Sequence, residues 1–333
     1  MYYLLRLAEI VIPRLPRFLV YRLGGVIAFA AWLLAARARR QANENMMHVL
    51  GGQDEQARQF LHTRSGHKRL RKVVRGMFRQ NVSNYLDLFL LPSLKPETIL
   101  QSMEVRGFEH VQQALASGKG VIIYSAHLGP FDYLIQWLAI QGYAVTVPVE
   151  HLADQRILDL ILRLRRCKGV QYVPLGGSAA MRAMLQTLRK NQVVLMTADR
   201  AVHGESVTVP FFGAPARLPS GIAQLAVRTG APLVGAFGWR TRSTPVLSQV
   251  AQIMPVSLAL PQEQRQQIEP LMQRIVSSME QYIGAHPDQW VVFAPVWFAQ
   301  ETTTTMNANT RADAQVQQSA MIQEQVQTRV DEA

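Results

Sequence analysis

The sequence predicts an α/β fold, a single domain with a mostly parallel central sheet flanked by helices, plus a separate helical segment at the amino end. Short apolar runs rich in β-branched residues alternate with stretches of helical periodicity from residue 105 to residue 254. That alternation is typical of parallel βαβ units. The 333 residues are enough to bury one large core. No motif recurs at a fixed period, which argues against a repeat architecture.

Composition divides the chain into three segments. Residues 1–45 are predicted to be a membrane-associating helical segment, residues 46–299 the α/β domain, and residues 300–333 a polar tail. The tail is rich in Thr, Gln, Ala and Asn and holds no aromatic residue. It cannot bury enough apolar surface to order itself, so we expect it to be disordered.

The amino-terminal segment is both basic and apolar. Residues 1–100 hold sixteen Lys and Arg against six Asp and Glu, so they carry ten of the twelve excess positive charges. From Leu23 to Ala36 fourteen residues are uncharged, fewer than the roughly twenty that a full membrane span needs. The pattern favours a helix lying in or dipping into an anionic membrane interface. An apolar helix packed on the α/β domain has the same periodicity, so both interpretations stay open.

Charge and cysteine count limit the partners. A basic protein suits an anionic membrane surface, an acidic carrier protein or nucleic acid. Nucleic acid is disfavoured, because the basic residues are interleaved with long aliphatic runs and no nucleic-acid module is present. The single cysteine, Cys167, excludes an intramolecular disulfide and a thiolate metal cluster, and no metal site is predicted.

Strands and helices are predicted in the following order. Residues 55–92 are helical, with apolar positions recurring between basic ones. Val207 to Gly221 is punctuated by Pro and Gly and is predicted to be a loop. The remaining elements are a strand and helix over Val105 to Leu115, strands at Gly120 to Tyr124, Tyr143 to Val149, Gly169 to Pro174, Gln192 to Thr197, Ala231 to Phe237 and Val246 to Met254, and helices at Tyr133 to Ile140, Ile157 to Arg166, Ala179 to Lys190, Ile222 to Thr229 and Pro261 to Gly284.

A histidine and an aspartate five positions apart follow the strand that ends at Tyr124. His127 precedes a turn at Gly129-Pro130, and Asp132 opens the next helix. We expect Asp132 to hold His127 in one tautomer, so that the imidazole accepts a proton from an alcohol about to attack an acyl group. Ser125 is interpreted as a packing neighbour and not a nucleophile. Isolated His–Asp pairs also occur in structural settings, so the spacing alone leaves that role open.

Other charged residues are candidates for substrate binding. Asp199 and Arg200 follow the strand Gln192 to Thr197, at the edge where open α/β sheets assemble their sites. Arg165, Arg200 and Arg217 could hold phosphate, which matches the guanidinium fork. For Arg165 and Arg200, structural pairing with Asp199 or another carboxylate is the alternative. Glu150 either lines the pocket or is exposed, which is commoner for glutamate.

Taken together, these residues resemble the lysophospholipid acyltransferase superfamily, in particular the branch of bacterial lipid A late acyltransferases and phosphatidylinositol mannoside acyltransferases. The resemblance covers most of residues 1–298. It rests on five elements in the expected order: His127 with Asp132, Arg165 with Gly169, Ala198-Asp199-Arg200, the loop from Phe211-Phe212-Gly213 to Pro219-Ser220-Gly221, and His286-Pro287-Asp288-Gln289-Trp290.

The resemblance implies a membrane-associated enzyme at the cytoplasmic face of the cell membrane. It would move a fatty acyl group from acyl carrier protein or acyl-CoA to a hydroxyl of a lipid or glycolipid of the lipid A or phosphatidylinositol mannoside type. No metal or bound organic cofactor is implied, since the thioester is the donor substrate.

Two departures from the superfamily pattern narrow this expectation. Glycerol-phosphate acyltransferases of the superfamily carry Phe-Pro-Glu-Gly in the second substrate loop, whereas this chain has Phe-Phe-Gly-Ala at residues 211–214, which favours a larger glycolipid acceptor. Related glycolipid enzymes often carry an acidic residue after the Asp-Arg pair, where this chain has Ala201.

The expected mechanism is direct. His127 deprotonates the acceptor hydroxyl, which attacks the thioester carbonyl without an acyl-enzyme. Two alternatives remain open: a thioesterase that uses the same base with water, and a non-catalytic lipid-binding protein that kept the fold. The amino-terminal segment is basic and predicted to associate with a membrane, which favours a lipid acceptor over water.

Overall fold

A computed structural model describes residues 2–150, 154–175, 177–200, 205–241, 249–255 and 268–297. The tail predicted at residues 300–333 lies outside the described residues, as does the first part of the helix predicted from Pro261.

Five helices make up the amino-terminal part of the described chain. They are α1 (Tyr2–Val11), α2 (Arg17–Leu34), α3 (Ala36–Gly51), α4 (Glu55–Leu61) and α5 (Arg64–Leu90). The helical stretch predicted at residues 55–92 is divided into α4 and α5 because each has its own N-cap. Asp54 accepts a hydrogen bond from the backbone N–H of Gln56, and Thr63 accepts one from that of Gly66, which satisfies amides that a helix start leaves unpaired.

Nine strands and seven further α-helices occupy the rest of the described chain. The strands are β1 (Met103–Arg106), β2 (Val121–Ser125), β3 (Val145–Val149), β4 (Gln171–Pro174), β5 (Val193–Thr197), β6 (Ser206–Phe211), β7 (Ala214–Pro219), β8 (Leu233–Arg240) and β9 (Gln249–Pro255). The helices are α6 (Pro96–Ser102), α7 (Glu109–Leu115), α8 (Phe131–Ile140), α9 (Gln155–Arg165), α10 (Gly177–Arg189), α11 (Gly221–Thr229) and α12 (Ile268–Ala285).

Seven of these strands form one sheet in the order β1-β9-β8-β2-β5-β3-β4. All neighbouring pairs are parallel except β8 with β9, which run antiparallel. Every residue of β2 is buried, as expected for a central strand with helices on both faces. The predicted α/β class with a mostly parallel sheet is therefore confirmed.

The central strands β2 and β5 determine where a site can form. They pair in parallel with Ser125 opposite Thr197, so both strands end at the same level. The backbone N–H of Ala198 then donates to the carbonyl of Ser125 at 2.9 Å and extends the pairing by one step. The residues that follow the two strands consequently face each other at the carboxyl edge of the sheet.

The segment from Val207 to Gly221, predicted as a loop, is instead mostly an antiparallel hairpin of β6 and β7. Its two-residue turn is Phe212-Gly213, and both residues have positive φ, +48° and +77°. A primed hairpin turn needs that geometry and usually takes Asn or Gly at its first position. Here the Glu280 carboxylate accepts the Phe212 N–H, and the ring of Phe212 packs against that of Phe211 with centroids 4.8 Å apart.

Helix α2 is packed along only one stripe. Its buried residues are Val20, Gly24 and Ala28, and Tyr21 donates a hydrogen bond to Asp87 of α5. Large apolar side chains on the rest of its surface are exposed, namely Phe18, Leu23, Val26, Ile27, Phe29, Leu33 and Leu34. Its length and apolarity would be enough to cross a membrane. Packing on the α/β domain therefore explains the buried stripe but not the apolar residues on the rest of the helix, which are exposed.

Candidate active site

His127 lies at the carboxyl end of β2, two residues past Ser125. Its imidazole Nδ1 is 2.8 Å from Oδ1 of Asp199, and its backbone N–H donates to Oδ2 of the same carboxylate at 2.8 Å. Asp199 lies two residues past the end of β5. The β2–β5 pairing thus joins two residues that are 72 positions apart in the chain.

A third donor completes the environment of Asp199. The indole Nε1–H of Trp290 donates to Oδ2 at 2.7 Å, so the fully buried carboxylate accepts three hydrogen bonds. Burial alone would raise the pKa of Asp199, but the charge of His127 and the hydrogen bonds from His127 and Trp290 outweigh it and hold the pKa below its ordinary value. Asp199 is therefore an anion aimed at the imidazole.

The opposite side of the imidazole is accessible. The His127 side chain is 26% exposed, whereas that of Asp199 is 0% exposed. An ionised carboxylate only accepts, so Nδ1 carries the proton and Nε2 is left as the basic nitrogen. The pair can hold one tautomer and take a proton from a group that reaches Nε2, which is the geometry of general-base catalysis.

Asp132 does not occupy the position predicted for it. In the first turn of α8, its carboxylate pairs with the guanidinium of Arg165, with Nε 2.9 Å from Oδ1 and Nη2 donating to Oδ2 at 3.1 Å. The prediction that Asp132 orients His127 is corrected, because Asp199 takes the Nδ1 bond. Asp199, predicted to bind substrate, is likewise reassigned as the partner of His127.

Phe131 lies between these two pairs. Its ring meets the His127 imidazole edge to face at a centroid distance of 5.8 Å. The guanidinium carbon of Arg165 lies 5.9 Å from the same ring and 6.0 Å from that of Tyr172. Arg165 is thus fixed by one carboxylate and two aromatic rings, which favours the structural alternative that its sequence context left open.

Arg200 and Glu150 form a second ion pair at the sheet edge. Glu150 follows the end of β3 and Arg200 follows Asp199, and their side chains are 26% and 30% exposed. Nε of Arg200 is buried and has no hydrogen-bond partner among the described residues. Arg217, on the exposed face of β7, donates to Ser206 of β6 and shares no contact with the His127–Asp199 pair among the described residues.

The turn after His127 is held from both sides. The carbonyl of His127 accepts the backbone N–H of Val291 at 2.9 Å, and that of Gln289 accepts the Gly129 N–H at 3.0 Å. Asn84 of α5 donates its side-chain amide to the Gly129 carbonyl at 3.0 Å. Gly129 has φ of +57°, and a Cβ there would lie 2.3 Å from the carbonyl oxygen of Gly238. Only glycine fits that turn.

Trp290 enters the sequence prediction only as the last residue of the motif that starts at His286, and its bond to Asp199 was not predicted. An indole can donate only one hydrogen bond, and Trp290 is 0% exposed, so a buried acceptor was to be expected.

Ser125 is buried and its hydroxyl donates to the adjacent Ala126 carbonyl at 3.3 Å, in keeping with its interpretation as a packing neighbour. Among the described residues no cluster of three or more His, Cys, Asp or Glu could hold a metal ion.

Comparison with known proteins gives a family and two groups of relatives. The model of the family described as bacterial lipid A biosynthesis acyltransferase matches residues 2–298. A phosphatidylinositol mannoside acyltransferase of Mycobacterium tuberculosis is 27% identical over 223 residues, which cover 64% of this chain and 66% of the relative. One of Mycolicibacterium smegmatis is 25% identical over 236 residues, 68% of this chain and 73% of that protein. The chain thus spans slightly less than two thirds of the M. tuberculosis relative.

Proposed function

The chain belongs to the bacterial lipid A biosynthesis acyltransferase family, and we propose that it transfers a fatty acyl group from a thioester to a hydroxyl of a lipid or glycolipid. The single observation that carries the proposal is the His127–Asp199 pair, with Nδ1 engaged and the imidazole partly exposed. The thioester donor is acyl carrier protein or acyl-CoA. The acceptor is a glycolipid of the lipid A or phosphatidylinositol mannoside type, by analogy with the relatives.

The proposed reaction is one displacement at the acyl carbonyl. The acceptor O–H gives its proton to Nε2 of His127 while its oxygen attacks the thioester carbon. The carbon–sulfur bond then breaks, and the proton passes from the imidazolium to the thiolate. Asp199 stabilises the imidazolium that exists between these two transfers, and no acyl-enzyme forms.

Arg200 is the better candidate for an anionic substrate group. In both Arg165 and Arg200, Nε is buried without a hydrogen bond among the described residues. That of Arg165 lies 2.9 Å from Oδ1 of Asp132, whereas Arg200 meets Glu150 through Nη2. A phosphate oxygen at Nε of Arg200 would satisfy the N–H in a charge-assisted bond. Glu150 would hold the guanidinium in place. Arg217 contacts neither pair, so it is not part of the proposed site.

The proposed location is the cytoplasmic face of the cell membrane. The exposed apolar side chains of α2 would lie in the interfacial layer, which relieves their contact with water. Coenzyme A and acyl carrier protein are intracellular thioester carriers, and a site at that face meets both a soluble donor and a lipid acceptor. The membrane partner is expected to be anionic because the amino-terminal hundred residues carry most of the excess positive charge.

His127→Ala tests the chemistry. Removal of a positioned general base costs about 10²- to 10⁴-fold in turnover. Folding of the variant is checked by circular dichroism, because the substitution leaves the buried Asp199 carboxylate without its Nδ1 partner. Thioester consumption is measured with and without a phosphatidylinositol mannoside acceptor, and products are weighed by mass spectrometry. Lipid-dependent mass gain that disappears in the variant supports the proposal.

The same assay separates the other two functions. Thioester release that does not depend on lipid identifies a hydrolase that uses the same base. Lipid binding without thioester consumption identifies a binding protein. Near-normal turnover by His127→Ala removes the assigned mechanism.

A further inference from the structure

Helix α5 carries a row of exposed basic side chains that the proposed reaction does not use. We name it the basic stripe; its members are Arg64, Lys68, Arg71, Lys72, Arg75 and Arg79, all exposed. At 3.6 residues per turn they fall within an arc of about 100° on one side of the helix. No Asp or Glu occurs between Glu55 and Asp87, and no member of the stripe belongs to an ion pair within the described ranges.

The same side of α5 becomes apolar towards its carboxyl end, where α2 covers it. Val82 and Leu86 continue the arc and pack with Val20 of α2. The helices approach closely, since a Cβ added at Gly24 would lie 2.4 Å from Cδ1 of Leu86. The basic stripe therefore lies on the side of α5 that α2 occupies, and it begins at Arg64, ahead of the α2 contact.

Arg75 joins the stripe to α2. Its guanidinium carbon lies 5.1 Å from the ring of Phe29 and 5.3 Å from that of Trp32. Phe29 is 44% exposed and belongs to the apolar outer surface of α2. The cationic row and the apolar surface are therefore continuous, an arrangement typical of proteins that lie on a charged bilayer.

We infer that the basic stripe binds the phosphate headgroups of an anionic lipid bilayer into which the outer face of α2 inserts. Packed helices lie about 8–10 Å apart, and an interfacial helix buries its apolar face about 5–10 Å into the headgroup and acyl boundary. With α2 at that boundary, the stripe lies one helix diameter behind it, within reach of the lipid phosphates. The inference rests on the proposed membrane location and assigns the preference for anionic over zwitterionic lipid to one row of side chains on α5.

The continuity with α2 favours lipid over an acidic protein. Binding of an acidic carrier protein would account for the basic stripe alone. It would not account for the exposed apolar surface of α2 beside the stripe. A bilayer matches both features at once, because its phosphates meet the cations and its acyl chains meet the apolar face.

The test uses the full chain with Arg64→Ala, Lys68→Ala and Lys72→Ala combined, leaving Arg75 on α2. Binding is measured by co-sedimentation with phosphatidylcholine vesicles and with vesicles that also contain phosphatidylglycerol, over a range of salt concentrations. Each basic residue near an anionic surface contributes about fivefold in binding, so the triple variant should lose on the order of 100-fold on the anionic vesicles only. The matched control combines Arg182→Ala, Arg189→Ala and Lys190→Ala, three exposed cations on or next to α10, and should bind as the parent does.

The outcomes are distinct. Loss of the anionic preference and of its salt dependence, with phosphatidylcholine binding retained, supports the inference. Unchanged binding to anionic vesicles overturns it, and so does a variant that binds both vesicles normally but loses binding to acyl carrier protein. Acyl-CoA consumption with a phosphatidylinositol mannoside dispersed in detergent reports the proposed reaction separately. If the parent protein is active in that assay but binds neither kind of vesicle, the lipid surface is overturned and the acyl transfer stands.

Discussion

Asp199 and Asp132 are two buried carboxylates at the same edge of the sheet, each bound to one basic side chain, yet they serve different purposes. The partner of Asp199 is an imidazole that is 26% exposed and can gain or lose a proton. The partner of Asp132 is a guanidinium, which stays protonated at every ordinary pH. The first pair can therefore move a proton, while the second can only fix a geometry.

The two pairs also differ in how their acceptors are satisfied. Asp199 accepts from His127 and from Trp290, which is 0% exposed. Asp132 faces the single residue Arg165. A carboxylate locked by donors from two elements is pre-organised as an anion, which is the property that stabilises a transient imidazolium. Variants of each pair can test this division of labour.

Asp199→Asn should give the largest effect. If its amide oxygen faces Nδ1, its NH₂ group opposes the donors of His127 and Trp290. If it is turned the other way, Nδ1 becomes an acceptor and the proton moves to Nε2, the wrong tautomer for a base. We expect turnover to fall about 10³- to 10⁴-fold, measured as kcat for acyl transfer with saturating donor and acceptor.

Asp132→Asn is the control for that variant, because it removes the same charge five residues along the chain from His127. A comparable loss of kcat in the two variants, with both proteins folded by circular dichroism, would contradict the assignment of Asp199 as the orienting group.

Asp132→Asn should instead act mainly on stability. It leaves the Arg165 guanidinium, largely buried, without its anion, and breaking a buried ion pair on one side costs about 3–5 kcal/mol. The Arg165 side chain is 22% exposed, so water offsets part of this and we expect about 3 kcal/mol. Urea unfolding measures the change, and turnover below the midpoint should fall far less than for Asp199→Asn.

Arg165→Met offers the matched comparison, since it removes the cation and leaves the carboxylate free to take up a proton. A stability loss in Asp132→Asn no larger than that of a surface substitution such as Asp159→Asn would show that the pair is not structural.

The sequence predicted that Asp132 orients His127, whereas the structure places Asp199 at Nδ1, and the reason is physical. Asp132 is near His127 along the chain, and nearness along the chain is visible in sequence. The nearness of Asp199 depends on β5 pairing with β2 although β3 and β4 come between them in the chain. Strand order is set by tertiary packing, which a local pattern of residues does not encode.

The β6–β7 hairpin was missed for a related reason. Its turn places Phe212 at positive φ, a conformation that sequence patterns assign to Asn or Gly. The conformation is compensated by Glu280 of α12 and by Phe211. Strand β2 and its turn were easier, because β-branched residues followed by Gly and Pro are a local signal.

The lowered pKa of Asp199 predicts a smaller effect, a difference between the parent and Asp199→Asn in how the free energy of unfolding changes in acid. A carboxylate whose folded pKa lies below its ordinary value of 3.8 stabilises the fold above that value. The contribution is lost as pH falls from about 4 through the folded pKa. The unfolding free energy of the parent should thus decline in this range more steeply than that of Asp199→Asn.

Urea unfolding between about pH 2.5 and pH 6 gives the slope of the unfolding free energy against pH for the parent and for Asp199→Asn. The two slopes are subtracted, because the other carboxylates contribute equally to both proteins. Parallel curves for the two proteins would show that Asp199 is not held as an anion.

Phe131→Leu should have the smallest effect and shows whether the two pairs act independently. The ring touches His127 on one side and Arg165 on the other, and a partly exposed cation–π contact is worth about 0.5–1 kcal/mol. We expect a stability loss of about 1 kcal/mol, lost ring packing included, and only a few-fold drop in kcat, because Leu keeps much of the volume and leaves Asp199 in place.

A double-mutant cycle with Asp132→Asn, read in kcat, should show a coupling below about 0.5 kcal/mol if the ring only separates the pairs. A larger coupling would mean that Arg165 reaches the imidazole through Phe131, and the separation of proton transfer from scaffold would then fail at that side chain.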